Sequence, residues 1–213
     1  MQPTQEAYAE FQAAYAHLNE SLFQGKLPPC LITLQRRKRT YGYFCHSRFG
    51  NPEGDVTDEI AMNPQYFGER LVKEVISTLA HEMVHLWQAH YGKTSRRGYH
   101  NAEWGRAMEA IGLVPSSTGQ PGGKRTGERV SHWIVKGGPF DQAADLLLTG
   151  SFRVTWADLD VPSSLAVGGD KNRSNRDKFR CPECGAQAWG KKGLNLRCGA
   201  CSGAPYFVEP EDG

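Results

Sequence analysis

The stretch His81-Glu82-Met83-Val84-His85 places two histidines four positions apart, with a glutamate directly after the first. Apolar residues recur around it at helical spacing, which predicts a long helix over 69–91 that ends at Gly92. In a helix, residues i and i+4 lie about 40° apart and one turn along. Both imidazoles can then reach one Zn²⁺, and Glu82 is near enough to deprotonate a water that zinc activates.

The polar residues of this predicted helix form a narrow stripe opposite a broad apolar face. The stripe contains both histidines, and its members are Glu74, Thr78, His81, His85 and Gln88. A mostly buried helix with its histidines on the one polar stripe suits the wall of a cleft better than an ordinary surface.

A catalytic zinc takes a third protein ligand and keeps one position open. The metzincin pattern needs a glycine and a further histidine where this chain has Gln88 and Tyr91, so that class is excluded. A glutamate from the next predicted helix, 101–111, would fit a thermolysin-like pattern. The residues alone leave five candidates open: His90, His100, Glu103, Glu109 and His132.

Four of the six cysteines form two C-x₂-C pairs with thirteen residues between them: Cys181, Cys184, Cys198 and Cys201. The first residues are polar and contain no secretory signal, so paired cysteines favour metal ligands over disulfides. We expect a zinc ribbon at 179–208, with a structural ion because four thiolates leave no open position. Cys30 and Cys45 are expected to be buried free thiols.

The composition excludes several classes of protein. The chain has 213 residues, 39% of them hydrophobic, and a formal net charge of +2. Its apolar runs are far shorter than the roughly 20 residues of a membrane helix. We therefore exclude a membrane protein and an exported precursor, and expect a cytoplasmic protein without a membrane partner.

Basic residues are concentrated between Val161 and Ala204. Eight of them stand against three acidic residues, and Trp189 and Tyr206 offer aromatic faces nearby. Basic charge with aromatic surfaces is typical of single-stranded nucleic acid binding, although a solvated linker is an equal alternative. The candidate contacts are Lys171, Arg173, Arg176, Lys178, Arg180, Lys191, Lys192 and Arg197.

The remaining patterns predict a mixed α+β fold. A first helix over 4–24 precedes short strands, two further helices follow residue 69, and the region from 116 is rich in turn residues. The predicted strands are 31–35, 41–47, 59–62, 130–135 and 152–156, and a last helix covers 140–148.

The motif at 81–85, followed after thirteen residues by Tyr99-His100-Asn101-Ala102-Glu103-Trp104, resembles the SprT-like (Spartan) family. That family has H-E-x-x-H followed by a third histidine in an H-x-x-E-[FW] stretch. Asn63-Pro64 and the tyrosine-rich first helix are also similar. The resemblance covers most of residues 4–115, and nearly the whole chain when the ribbon is included.

The resemblance implies a zincin-like metalloprotease core, in which helices pack on a small sheet, and a zinc endopeptidase activity. His81, His85 and His100 would hold one catalytic Zn²⁺, Glu82 would act as general base, and the four cysteines would hold one structural Zn²⁺. Substrates would be proteins bound or crosslinked to DNA. This supports single-stranded DNA as a further partner of the basic segment, and a DNA-binding protein would be associated with the nucleoid. The competing hypothesis is a non-enzymatic DNA-binding or regulatory protein whose zinc sites are structural.

The expected organisation has four parts. A metalloprotease core covers 1–115, and a Gly-rich loop with an accessory helix and strand extends it over 116–160. A basic flexible linker occupies 161–178, and the zinc ribbon occupies 179–208.

Overall fold

The computed structural model describes residues 2–150, 152–159, 177–190 and 194–208. The chain divides into two compact units, Met1–Pro162 and Ser163–Gly213. Nearly all of the predicted linker, 161–178, lies outside the described residues.

The first helix, α1, covers Pro3–Phe23. Proline is suited to the first turn because its missing N–H has no helical partner there. Gln24 adopts a left-handed conformation, and the N–H of Gly25 donates to the carbonyl of Asn19 at 3.0 Å, which ends the helix. One face is buried in the core through Ala7, Phe11, Ala14, Tyr15 and Leu18.

Three strands form the main sheet: β1 (Leu31–Leu34), β2 (Gly42–Gly50) and β3 (Val56–Met62). β3 lies between the others, parallel to β1 and antiparallel to β2. β2 is therefore an edge strand among the described strands. Its register shifts between Cys45 and Phe49, which marks a bulge.

The central helix, α2, covers Val72–Tyr91 after a short 3₁₀ turn at Pro64–Tyr66. It lies against the sheet and is buried on most of its circumference, with polar members that include Ser77, Thr78 and Gln88. The prediction of a long helix through both motif histidines is confirmed.

Gly42 allows β2 to approach α2 closely. A Cβ at this position would lie 2.9 Å from the carbonyl oxygen of Ala61 and 3.0 Å from Cγ2 of Thr78. It would also lie 3.4 Å from Cγ of Glu82. A larger residue would push the edge strand away from the helix that carries the motif.

The rest of the first unit completes the core. α3 covers Ala102–Ala110, β4 (Leu113–Ser116) pairs antiparallel with β5 (Ser131–Ile134), and α4 covers Pro139–Thr149. Their apolar side chains join those of α1 and α2, and the largest fully buried ones include Phe11, Leu18, Ile60, Leu79, Met83, Trp104, Met108 and Phe140.

Two predictions about this unit are wrong. Residues 152–156 form no strand. The backbone N–H of Thr155, which a sheet would use, donates instead to the carboxylate of Glu10 on α1. The Thr155 hydroxyl and the Trp156 indole also donate to α1, to Glu10 and Glu6 respectively, so this segment is held against the helix. Cys30 and Cys45 are free thiols, but they are half-buried rather than buried.

The second unit contains a hairpin of β6 (Asp177–Arg180) and β7 (Gln187–Gly190). Short bridges join Arg180 to Val208 and Arg197 to Tyr206.

The predicted α+β class is confirmed. Across the described ranges, no helix combines the length and apolar character needed to span a membrane.

Candidate functional site

Three histidines converge where α2 faces the start of α3. His81 and His85 lie one turn apart on α2, and His100 precedes the Asn101 that caps α3. Each offers a ring nitrogen, and the three nitrogens lie within 4.8 Å of one another. His81 and His100 are buried and His85 is half-buried. This spacing can hold one metal ion.

Hydrogen bonds fix the tautomer of His81. The Ser77 hydroxyl donates its one proton to the carbonyl of Glu74 at 2.8 Å, so its oxygen accepts from Nε2–H of His132, also at 2.8 Å. Nδ1 of neutral His132 then accepts from Nδ1–H of His81 at 3.1 Å. Nε2 of His81 is left with a free lone pair, as a metal ligand requires.

His100 is oriented in a comparable way. Its Nδ1–H donates to the carbonyl of Gly127 at 3.0 Å, and the two residues exchange backbone hydrogen bonds at 2.8 and 3.1 Å. Its Nε2 lone pair is therefore also free for a metal. A backbone carbonyl on the second nitrogen is a common support for ligand histidines.

Trp104 forms a floor beneath the three imidazoles. Its ring centroid lies 4.3 Å from that of His100, 4.8 Å from His81 and 5.0 Å from His85. The indole is fully buried, and its Nε1 has no hydrogen-bond partner in the described part of the chain. Packing of this kind restricts the rotamers of all three rings.

Burial sets the protonation of the site. It lowers the pKa of His81 well below its usual value, that of His85 to about 3 and that of His132 to about 4, so the rings are neutral at pH 7. Burial also raises the pKa of Glu82 to about 8. A cation held by the histidines would oppose that shift and favour the carboxylate.

Of the five candidate third ligands, the structure brings His100 into the cluster. His132 contacts His81 from β5, as a support rather than as part of the three-nitrogen group. The other three have partners elsewhere: His90 with Asp58, Glu103 with Gln88 and the N–H of Lys93, and Glu109 with Arg125.

The histidines and Glu82 open into a cleft of about 1230 Å³. The first residues of β2 form one wall, and the segments before α3 and β5 form others. Its rim is rich in basic side chains: Arg37, Lys38, Arg39, Arg96, Arg97 and Arg129. A cleft of this size is larger than a typical pocket for a small molecule, which is about 300–1,000 Å³.

The four cysteines of the second unit also meet. Their sulfurs lie within 4.8 Å of one another, with Cys181 and Cys201 at 3.9 Å and Cys184 and Cys198 at 3.6 Å. A tetrahedral zinc with bonds of about 2.3 Å separates its sulfurs by about 3.8 Å. The cluster is therefore compatible with zinc.

The predicted nucleic-acid contacts are partly described. Lys178, Arg180 and Arg197 are exposed. Lys178 lies opposite Trp189 in the hairpin, and the alternation of β6 puts Arg180 on the same face while Phe179 is buried on the other. Lys171, Arg173, Arg176, Lys191 and Lys192 lie outside the described residues.

Comparison with known proteins agrees with these motifs. A model of the SprT-like family matches residues 11–123, more than half of the chain. An uncharacterized protein in the mucB 3′ region of Salmonella typhimurium is 59% identical over 59 residues, which are 27% of this chain and 80% of that protein. No solved structure matches. On the family match and the motif at its centre, the chain belongs to the SprT-like family.

Proposed function

We propose that the protein is a zinc-dependent endopeptidase with a zincin-like core. One observation carries the proposal: His81, His85 and His100 converge beside the buried Glu82 at the wall of an open cleft. A structural zinc site would have four ligands and no cleft.

In this proposal, different residues would bind the ion, orient the rings and transfer the proton. The three histidines would each hold the ion through one ring nitrogen, while His132, Gly127 and Trp104 fix the ring orientations. Zinc, when bound, supplies Lewis-acid polarisation of the scissile carbonyl and lowers the pKa of water. Glu82 accepts the proton of the attacking water and passes it to the leaving amine.

The substrate would bind in extended form along β2. This edge strand lines the cleft with Tyr43, Phe44 and Cys45, directly beside the motif helix. An exposed strand edge offers backbone donors and acceptors to any extended peptide. The proposed substrate class is therefore an unfolded segment or loop of another protein.

We further propose that these proteins are bound to DNA, which would place the enzyme in the cytoplasm at the nucleoid. The support is the face of the hairpin that combines Lys178, Arg180 and the 60% exposed Trp189. A base can stack on the indole while the cations contact phosphates. The competing hypothesis, a non-enzymatic DNA-binding protein, gives no role to Glu82.

A cleavage assay with and without metal tests the enzyme. The full chain is incubated with an unfolded protein substrate, either native, stripped of metal by a chelator, or stripped and then given zinc again. We expect fragments from the native and restored chains and none from the stripped chain, because the histidines alone do not polarise the carbonyl. Absence of fragments from a folded, zinc-loaded chain would favour the non-enzymatic hypothesis.

Titration with a labelled single-stranded oligonucleotide tests the DNA surface. Replacing Trp189 with alanine should weaken binding by about 5- to 150-fold, since stacking on one aromatic ring contributes about 1–3 kcal/mol. Affinity should also fall steeply with salt. Trp156→Ala is the matched control, because that side chain is 45% exposed and belongs to the first unit. Equal affinity in both variants would remove Trp189 from the proposal.

A further inference from the structure

A second group of potential ligands lies outside the three-histidine site. Nδ1 of His46 lies 2.8 Å from Oδ1 of Asp58, and Nε2 of His90 lies 2.6 Å from its Oδ2. One donor atom from each residue falls within 4.8 Å of the other two. The Asp58 carboxylate is buried at 6% exposure, whereas the His46 ring is 56% exposed. The group is thus anchored in the protein and open to solvent on one side.

The bulge in β2 builds this group. Ser47 adopts a positive φ of 49°, which is uncommon for a residue other than glycine, and its N–H donates to Oδ1 of Asp58 at 2.6 Å. The bulge therefore presents both His46 and this N–H to the same carboxylate. Strained residues of this kind persist where the surroundings hold them, and they cluster at binding sites.

The donor types select a class of ligand. Two imidazoles and one carboxylate form the combination that binds divalent transition ions and leaves positions open for water. A tetrahedral ion with bonds of about 2.05 Å needs donors about 3.3 Å apart. The 2.8 Å contact of His46 would lengthen by about 0.5 Å and the 2.6 Å contact of His90 by about 0.7 Å. Both rings are partly exposed, at 56% and 33%, so they have room to move by these amounts.

We propose that His46, Asp58 and His90 form a third metal site that binds Zn²⁺ or a similar divalent transition ion. This site is separate from the three-histidine cluster, because His90 lies five residues past His85, about 7.5 Å along the helix and on another face. The donors come from β2, β3 and α2, so a bound ion joins the edge strand to the motif helix.

The position of the site gives the ion a role. His46 lines the same cleft as His81 and Glu82, at the end of the regular part of β2. An ion on His46 fixes the bulged end of the strand and places a positive charge on the wall of the cleft. This effect on β2 does not depend on which reaction takes place in the cleft.

Metal counting tests the proposal without any activity measurement. The native full chain and the variants His46→Gln, His90→Gln and His17→Gln are dialysed against a series of buffered free Zn²⁺ concentrations, and bound zinc per chain is measured. His17 is the matched control because it belongs to neither cluster and, unlike His132, does not contact His81. Its Nε2 lies 2.8 Å from the carbonyl oxygen of Ala143.

We expect the native and His17→Gln chains to bind one more ion than the other two variants, or to bind it at least 10-fold more tightly. The result is a difference between chains, so it does not depend on whether the three-histidine site holds zinc. Thermal unfolding checks that each variant is folded. Equal binding curves for native and His46→Gln chains would overturn the proposal. His46, Asp58 and His90 would then only hydrogen-bond to one another.

Discussion

Glu82→Gln is expected to reduce peptide cleavage by about 10²–10⁴-fold while bound zinc stays unchanged. The amide has the size of the carboxylate and fits the same buried position, which is 5% exposed. It cannot accept a proton from water, so the proposed chemical step is lost although the three histidines that would hold zinc remain.

Turnover rate and zinc per chain are measured together for this variant. Glu109→Gln is the matched control, since Glu109 lies on α3 and pairs with Arg125 rather than facing the histidines. That variant should retain activity. Full activity in Glu82→Gln would exclude the general-base mechanism, and loss of zinc would show that Glu82 supports binding instead.

Cys198→Ser is expected to unfold the second unit and leave the first folded. The buried apolar side chains described in this unit are Phe179, Cys181 and Cys198, too few to form a self-sufficient core. Zinc binding contributes on the order of 10–16 kcal/mol in small cysteine modules, and a serine hydroxyl replaces a thiolate poorly.

Hydrogen exchange resolved along the chain measures this effect. Amides of β6 and β7 should lose protection, whereas those of α2 should keep it. Cys45→Ser is the matched control, because Cys45 is a half-buried free thiol in the first unit. Retained protection of the hairpin in Cys198→Ser would show that the second unit is stable without its fourth ligand.

Local signals predicted the part of the site that lies on one helix. The periodicity around His81 and His85 is contained within α2, so helical geometry alone places both rings on one side. The residues alone do not choose the third ligand, because His100 and Glu103 are both close to the start of α3. The resemblance to SprT-like proteins favoured His100, and the structure brings it to the other two histidines.

The supporting contacts could not be predicted, since they depend on tertiary pairing. His132 reaches His81 only because β5 pairs with β4, and the intervening loop has no periodicity that reveals this. Asp58 and His90 meet through packing of β3 against α2. The predicted strand at 152–156 failed for the same reason, because alternation does not show where the hydrogen-bond partners will lie.

The bulge in β2 also limits how far the edge of another sheet could pair with this strand. Only four residues, Gly42–Cys45, keep regular register before the shift. A short loop of another protein can pair along such a stretch, whereas a long flat sheet edge cannot continue past it. The proposed binding of a short peptide along β2 is therefore compatible with little self-association, and straightening the bulge would favour aggregation.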